Sequence, residues 1–383
     1  MSGNFVPSRS TATLDLVEGN LEVGEHATVR GTGDPPKVTV SGTVYAEGKC
    51  IFETSLSAEN LDGEGDITVK GDLEIKNRIK VEDGSLMVFG DASAKRIDAD
   101  RSVTIEKDAK VEEIDVGGSL HVNGATTAQK IDVGGTFTAK GDVEAKNIDV
   151  GGSVKIESKA CIEEVDVGGT VYVGGGKISR VDVGGTFVST DDLEFEEINV
   201  GGTVKLTGKC SGGDIDVGGS CNVEGDLDFG DIDVGGTVKI SGSANGEELD
   251  VGGTVQIGGT LNLLGKLDVG GKIEVEQELK AQTIDVGGKL RAKKTTANTK
   301  ISVGGSIETV DGAYASQVQI GKRGEVKGLI KADEVIIGRK AKVEDVYAKT
   351  IILEREAKAK NLYGGKIKLE SDCHIYGEVQ YTE

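Results

Sequence analysis

The stretch Thr237-Val-Lys-Ile-Ser-Gly-Ser-Ala-Asn-Gly-Glu-Glu-Leu-Asp-Val-Gly-Gly253 decides the fold. Its apolar residues alternate, as in Val238-Lys-Ile240 and Leu249-Asp-Val251, with a weaker middle run that offers only Ala244. Alternating β-branched and aliphatic residues bounded by glycine read as short strands with one face buried. Two glycines in every such unit weaken any helix, so a helical reading fails.

Its last three residues recur. An in-phase series of Val-Gly-Gly has its first Gly at 117, 134, 151, 168, 184, 201, 218, 235, 252, 270, 287 and 304, and the spacing within this series never leaves 16 to 18 residues. A period near 17 is too short for ankyrin, tetratricopeptide or propeller units, and each unit is expected to form one turn of a solenoid. Three apolar runs per unit make three sides, and stacked units pair in parallel about 4.8 Å apart. The fold class expected is all-β: a single elongated right-handed parallel β-helix, three-sided, with about 17 residues per coil. The handedness follows the preference of parallel crossovers.

Two columns should fill the interior. One runs through Ile114, Ile131, Ile148, Val165, Val181, Ile198, Ile215 and Ile232, the other through Leu120, Phe137, Val154, Val171, Phe187, Val204, Cys221 and Val238. The glycine pairs, among them Gly117, Gly118, Gly134, Gly135, Gly151, Gly152, Gly168, Gly169, Gly235 and Gly236, are expected at corners that require positive φ. Residues 1–20 read as an irregular lead-in, 21–96 as degenerate coils, 97–310 as the Val-Gly-Gly block, and 311–383 as C-terminal coils with an end cap. Val318, Val335, Ile351 and Ile367 carry the period downstream, one residue short at the corner, for about 21 or 22 coils in all.

Composition narrows the function. The net charge is −21, with 44 Lys+Arg against 65 Asp+Glu, a field that repels nucleic acid and anionic surfaces. The five cysteines, Cys50, Cys161, Cys210, Cys221 and Cys373, show no CxxC and suit a reducing, cytoplasmic setting. No apolar run suggests a signal peptide or a spanning helix. His26, His121 and His374 fall in different coils, Gly174-Gly-Gly-Lys177 is followed by Ile178 rather than Ser or Thr, and no GxSxG occurs. No catalytic, metal or cofactor site, small-molecule substrate or nucleic-acid partner is therefore expected, and the chain is not read as an enzyme.

The main polar feature is a row of aspartates: Asp115, Asp132, Asp149, Asp166, Asp182, Asp216, Asp233, Asp250, Asp268 and Asp285. It reads either as a cation ladder or, more simply, as outward residues that accept turn amides, with Lys155, Lys205 and Lys239 diluting the charge.

Residues Glu325-Val-Lys-Gly-Leu-Ile-Lys-Ala-Asp-Glu-Val-Ile-Ile-Gly-Arg-Lys-Ala-Lys-Val-Glu-Asp-Val-Tyr-Ala-Lys-Thr-Ile-Ile-Leu353 resemble the bactofilins, a polymer-forming cytoskeletal family. The shared cadence is V-x-G-x-I-x-A-x-x-V-x-I-G-x-x-A-x-V-x-G, close over 318–379 and looser in the Val-Gly-Gly block. The resemblance implies a right-handed three-sided β-helix whose subunits join end to end into filaments without nucleotide, often near a membrane. The family's core is much shorter than this chain.

A homopolymer is thus the expected partner arrangement, with Ile367, Leu369, Tyr376, Val379 and Tyr381 as the candidate polymer interface. A weak membrane or cell-envelope contact would fall to Phe5-Val-Pro-Ser-Arg9, through Phe5 and Val6. The alternative is a non-polymerising intracellular scaffold or binding rod. The 318–383 segment holds 13 basic and 11 acidic residues against 31 and 54 before it, a contrast that favours contact between unlike ends.

Overall fold

A computed structural model describes residues 4–381; Met1 to Gly3 of the expected lead-in and Thr382 and Glu383 of the expected end cap lie outside the described residues. Among the described residues every regular element is a strand, and no helix is long and apolar enough to cross a membrane. The strands are parallel and build β-solenoid turns of about 17 residues, about 22 in all. The chain divides into two compact units, Met1–Asp191 and Asp192–Glu383, each built of such coils.

One coil shows why. The strand Ala109–Val116 bends after Val111, and Ser119–Val122 follows beyond the glycine corner. Ala109 and Val111, Ile114 and Val116, and Leu120 and Val122 point inward in three pairs, none more than 2% exposed. Three pairs of inward residues separated by two-residue alternation require three flat sides. The next coil repeats the set in register, Ile114 against Ile131 and Leu120 against Phe137.

In the first unit the expected columns run unbroken, through Ile131, Ile148, Val165 and Val181 and through Phe137, Val154, Val171 and Phe187. In the second, Ile198, Ile215 and Ile232 form one column and Val204, Cys221 and Val238 another. Where one side chain is oversized its neighbour shrinks. A Cβ on Gly212 would lie 2.4 Å from the Phe195 ring, and one on Gly246 would lie 2.2 Å from the Phe229 ring. Alternating large with absent side chains holds the interior at close packing.

The corner glycines do not serve the purpose expected of them. None of Gly117, Gly118, Gly134, Gly135, Gly151, Gly152, Gly168, Gly169, Gly235 and Gly236 has φ in the left-handed region. Instead, a Cβ on any of them would stand 2.1 to 2.7 Å from a backbone carbonyl oxygen of the coil before. Corner lies directly on corner, as where Gly135 N–H donates to the Gly118 carbonyl at 2.8 Å. The constraint is close approach between successive turns, which a single coil's sequence cannot display.

Nor do the downstream coils lose a residue at this corner. Three residues separate Val303 from Ile307, whereas five separate Ile337 from Val343.

Candidate assembly surface

The last described coil consists of residues 366–369, which end the strand Lys358–Leu369, with His374–Ile375 and Val379–Tyr381. Its inward positions continue columns whose lower members are sealed. Ile367 stands over Ile351, Leu369 over Leu353, Ile375 over Ala359 and Val379 over Leu362. Those four lower residues are at most 1% exposed, whereas Leu369 is 47%, Val379 41% and Tyr381 74% exposed. No described coil lies above, so an apolar layer of the core faces outward. The strand Lys366–Leu369 pairs only with Thr350–Leu353 among the described residues, leaving one edge of hydrogen-bonding groups open.

Four of the five expected interface residues thus share one layer: Ile367, Leu369, Val379 and Tyr381. Tyr376 does not join them. It follows inward Ile375, and its ring stacks on outward His374 with centroids 6.5 Å apart. Two members of the layer were missed, Cys373 and Ile375, because their run, Cys-His-Ile, gives little apolar signal. Below the layer, the rings of Tyr347 and Tyr363 stack at 4.3 Å, and the Tyr363 hydroxyl donates to Glu378 at 3.2 Å. Desolvation, then the Glu378 carboxylate, push the Tyr363 phenol up to about 12.

The corner of the end coils differs from the glycine corner. Pro7–Ser10, Gly24–Ala27, Gly321–Gly324, Gly338–Ala341, Glu354–Ala357 and Glu370–Cys373 share one four-residue turn, whose third residue is left-handed: Arg9, His26, Arg323, Lys340, Glu356 and Asp372, with φ from 57 to 63°. In the first five the fourth residue's N–H donates to the first residue's carbonyl at 3.0 to 3.3 Å. This closure resembles a type II turn, with a non-glycine where glycine is preferred. Sequence reading passed over it because Arg, His, Lys and Glu carry no turn signal.

The N-terminal membrane expectation needs correction. Phe5 is 58% exposed, but Val6 is 2% exposed, packed over Val23 in the interior, and cannot serve as an anchor. A lone aromatic is a poor interfacial segment.

The aspartate row does point outward and in register. Its charge is met by Arg96 on Asp115 at 3.1 Å, Lys130 on Asp132 at 3.2 Å and Lys266 on Asp268 at 2.6 Å. Lys155 and Lys205 pair instead with Glu157 and Glu224. Burial, then Asp268 and Asp233, raise the Asp250 carboxyl above its ordinary range. Turn amides are accepted not by this row but by a different one, which includes Asp72, Asp91 and Asp108. Among the described residues no three His, Cys, Asp or Glu side chains are grouped to hold a metal ion.

Comparison with known proteins finds no matching family, no matching curated relative and no matching solved structure.

Proposed function

We propose that this chain is a structural scaffold that assembles end to end, needing neither nucleotide nor catalysis, and that the assembly surface is the apolar layer of its C-terminal coil. The observation that carries the reading is the abrupt change along single columns, from fully buried Leu353 and Leu362 to Leu369 and Val379 at 47% and 41% exposed. Covering that layer stabilises a joint by roughly 25 cal/mol for each Å² of apolar area removed from water. The open Lys366–Leu369 edge extends the β-ladder at the same time. The resemblance of residues 325–353 to the bactofilins supports the same reading. The five thiols are all free, which suits a reducing compartment.

Electron microscopy of the purified chain at rising concentration tests the proposal. Fibres are expected. A monodisperse monomer at every concentration and salt would instead favour a non-polymerising scaffold.

A further inference from the structure

Resting on end-to-end assembly, the turns of the end coils carry a further inference about its polarity. Wherever one four-residue turn stacks on another, three backbone bonds repeat. From the turn at 354 to that at 370, Glu370 N–H donates to Leu353 at 2.9 Å, Glu356 N–H to Ser371 at 3.0 Å and His374 N–H to Ala357 at 3.0 Å. The same three link 338 to 354, 321 to 338 and, at the other end of the chain, 7 to 24, where Gly24 N–H meets Val6, Arg9 N–H meets Glu25 and Thr28 N–H meets Ser10. The Val-Gly-Gly coils in between lack this turn, so the first and last described coils match each other.

They are also unfinished in complementary ways. At the C-terminal turn the Asp372 N–H, the counterpart of Glu356 and Arg9, has no partner among the described residues. At the N-terminal turn the Ser8 carbonyl, the counterpart of Glu25 and Ser371, likewise accepts no bond among them. Thr11, in register with Thr28, turns its N–H to the side away from the following coil, where the Cys373 carbonyl of another copy would stand. Pro7 supplies no N–H, so a joint here makes two of the three bonds and is weaker than any internal step.

Charge agrees with this match. The open C-terminal strand projects Lys366 and Lys368, while the first coils carry Asp15, Glu18, Glu22 and Glu25. Continuing the ladder from Leu369 to Val6 sets Lys368 beside exposed Phe5, one rung from Glu22.

We infer that copies of this chain join head to tail, the turn Glu370–Cys373 of one stacking on the turn Pro7–Ser10 of the next, with Asp372 N–H donating to the Ser8 carbonyl and Lys368 standing beside Phe5, on the same outward row as Glu22 one rung beyond.

Zero-length carbodiimide cross-linking of the assembled full chain tests this. Isotopically heavy and light copies are mixed before assembly, and linked peptides are read by mass spectrometry. The expected result is mixed-isotope links from Lys366 or Lys368 to Glu18, Glu22 or Glu25, lost when Leu369→Arg prevents assembly. Assembled protein whose mixed links join only C-terminal coil to C-terminal coil, or that shows no mixed link between the two ends, overturns the head-to-tail joint while leaving end-to-end assembly standing. Absence of any assembly overturns both.

Discussion

Asp108 Oδ1 accepts the backbone N–H of Ala125, one coil further on, at 2.8 Å, and occupies the space where a Cβ on Gly124 would lie 2.2 Å away. The relationship is one link of a chain in the first unit. Asp72 N–H donates to the Ser55 hydroxyl at 3.0 Å, Asp91 N–H to Asp72 at 3.0 Å and Asp108 N–H to Asp91 at 3.1 Å. The second unit repeats it where Ser243 N–H donates to Asp226 at 2.7 Å beneath Gly242. Each carboxylate satisfies an amide of the following coil, and where a glycine precedes that amide, as Gly90, Gly124 and Gly242 do, its missing Cβ leaves room for the carboxylate.

Asp108→Ala should therefore cost about 1 kcal/mol, the loss of one exposed hydrogen bond, and speed exchange of the Ala125 amide. Asp108→Asn keeps an acceptor oxygen and should lose less. Hydrogen exchange resolved over residues 109–126 checks both; equal exchange in Asp108→Ala and the parent would contradict the role given to this carboxylate.

The two corner types should answer substitution in opposite directions. Gly236→Val sets a branched side chain against the Gly219 carbonyl, 2.3 Å from its Cβ, and should destabilise by about 1 to 3 kcal/mol. Lys340→Gly relieves a left-handed lysine and should be neutral or stabilising by up to about 1 kcal/mol, since the relief is partly offset by added freedom in the unfolded chain. Urea unfolding followed by circular dichroism separates them.

Asp250 lies between Asp233 and Asp268 in its row, and its carboxyl is raised by burial and by those two neighbours. A folded pKa above the unfolded one means that the folded chain holds the proton more tightly. The resulting penalty is present in full above the folded pKa and is relieved as pH falls through it toward the unfolded value. Asp250→Asn should thus stabilise by about 0.2 to 1 kcal/mol at neutral pH, with the gain fading in the acid range. Thermal melts of parent and variant across pH test it; a variant less stable at pH 7 would refute it.

Thiol reactivity should split by burial. Desolvation, then Cys210, push the Cys221 thiol up to about 12, and desolvation pushes Cys50 up to about 11. Both should stay unlabelled by a thiol reagent in the folded chain, because only a trace of thiolate forms at mild pH. Exposed Cys161 should react fastest and Cys373 more slowly, with Cys50, Cys210 and Cys221 reacting only after denaturation.

The core was legible because a solenoid reduces packing to columns: Ile114, Ile131 and Ile148 are neighbours in space for the same reason that they recur in sequence. What escaped reading depended on contacts between coils. The Val-Gly-Gly glycines are required by the carbonyl of the coil before, and the aspartates that accept amides sit at a different corner from the conspicuous row. The end turns hide their left-handed position behind Arg9, His26, Lys340 and Glu356, and Val6 read as a surface anchor because nothing local shows that it stands over Val23.

The central claim is that the uncovered C-terminal layer joins copies end to end. It is tested most directly by electron microscopy of the parent beside Leu369→Arg, with circular dichroism confirming that both stay folded. Fibres in the parent and none in Leu369→Arg are the expected result, since a charge on that layer cannot be buried without a partner. Fibres of equal length and number in both would contradict it.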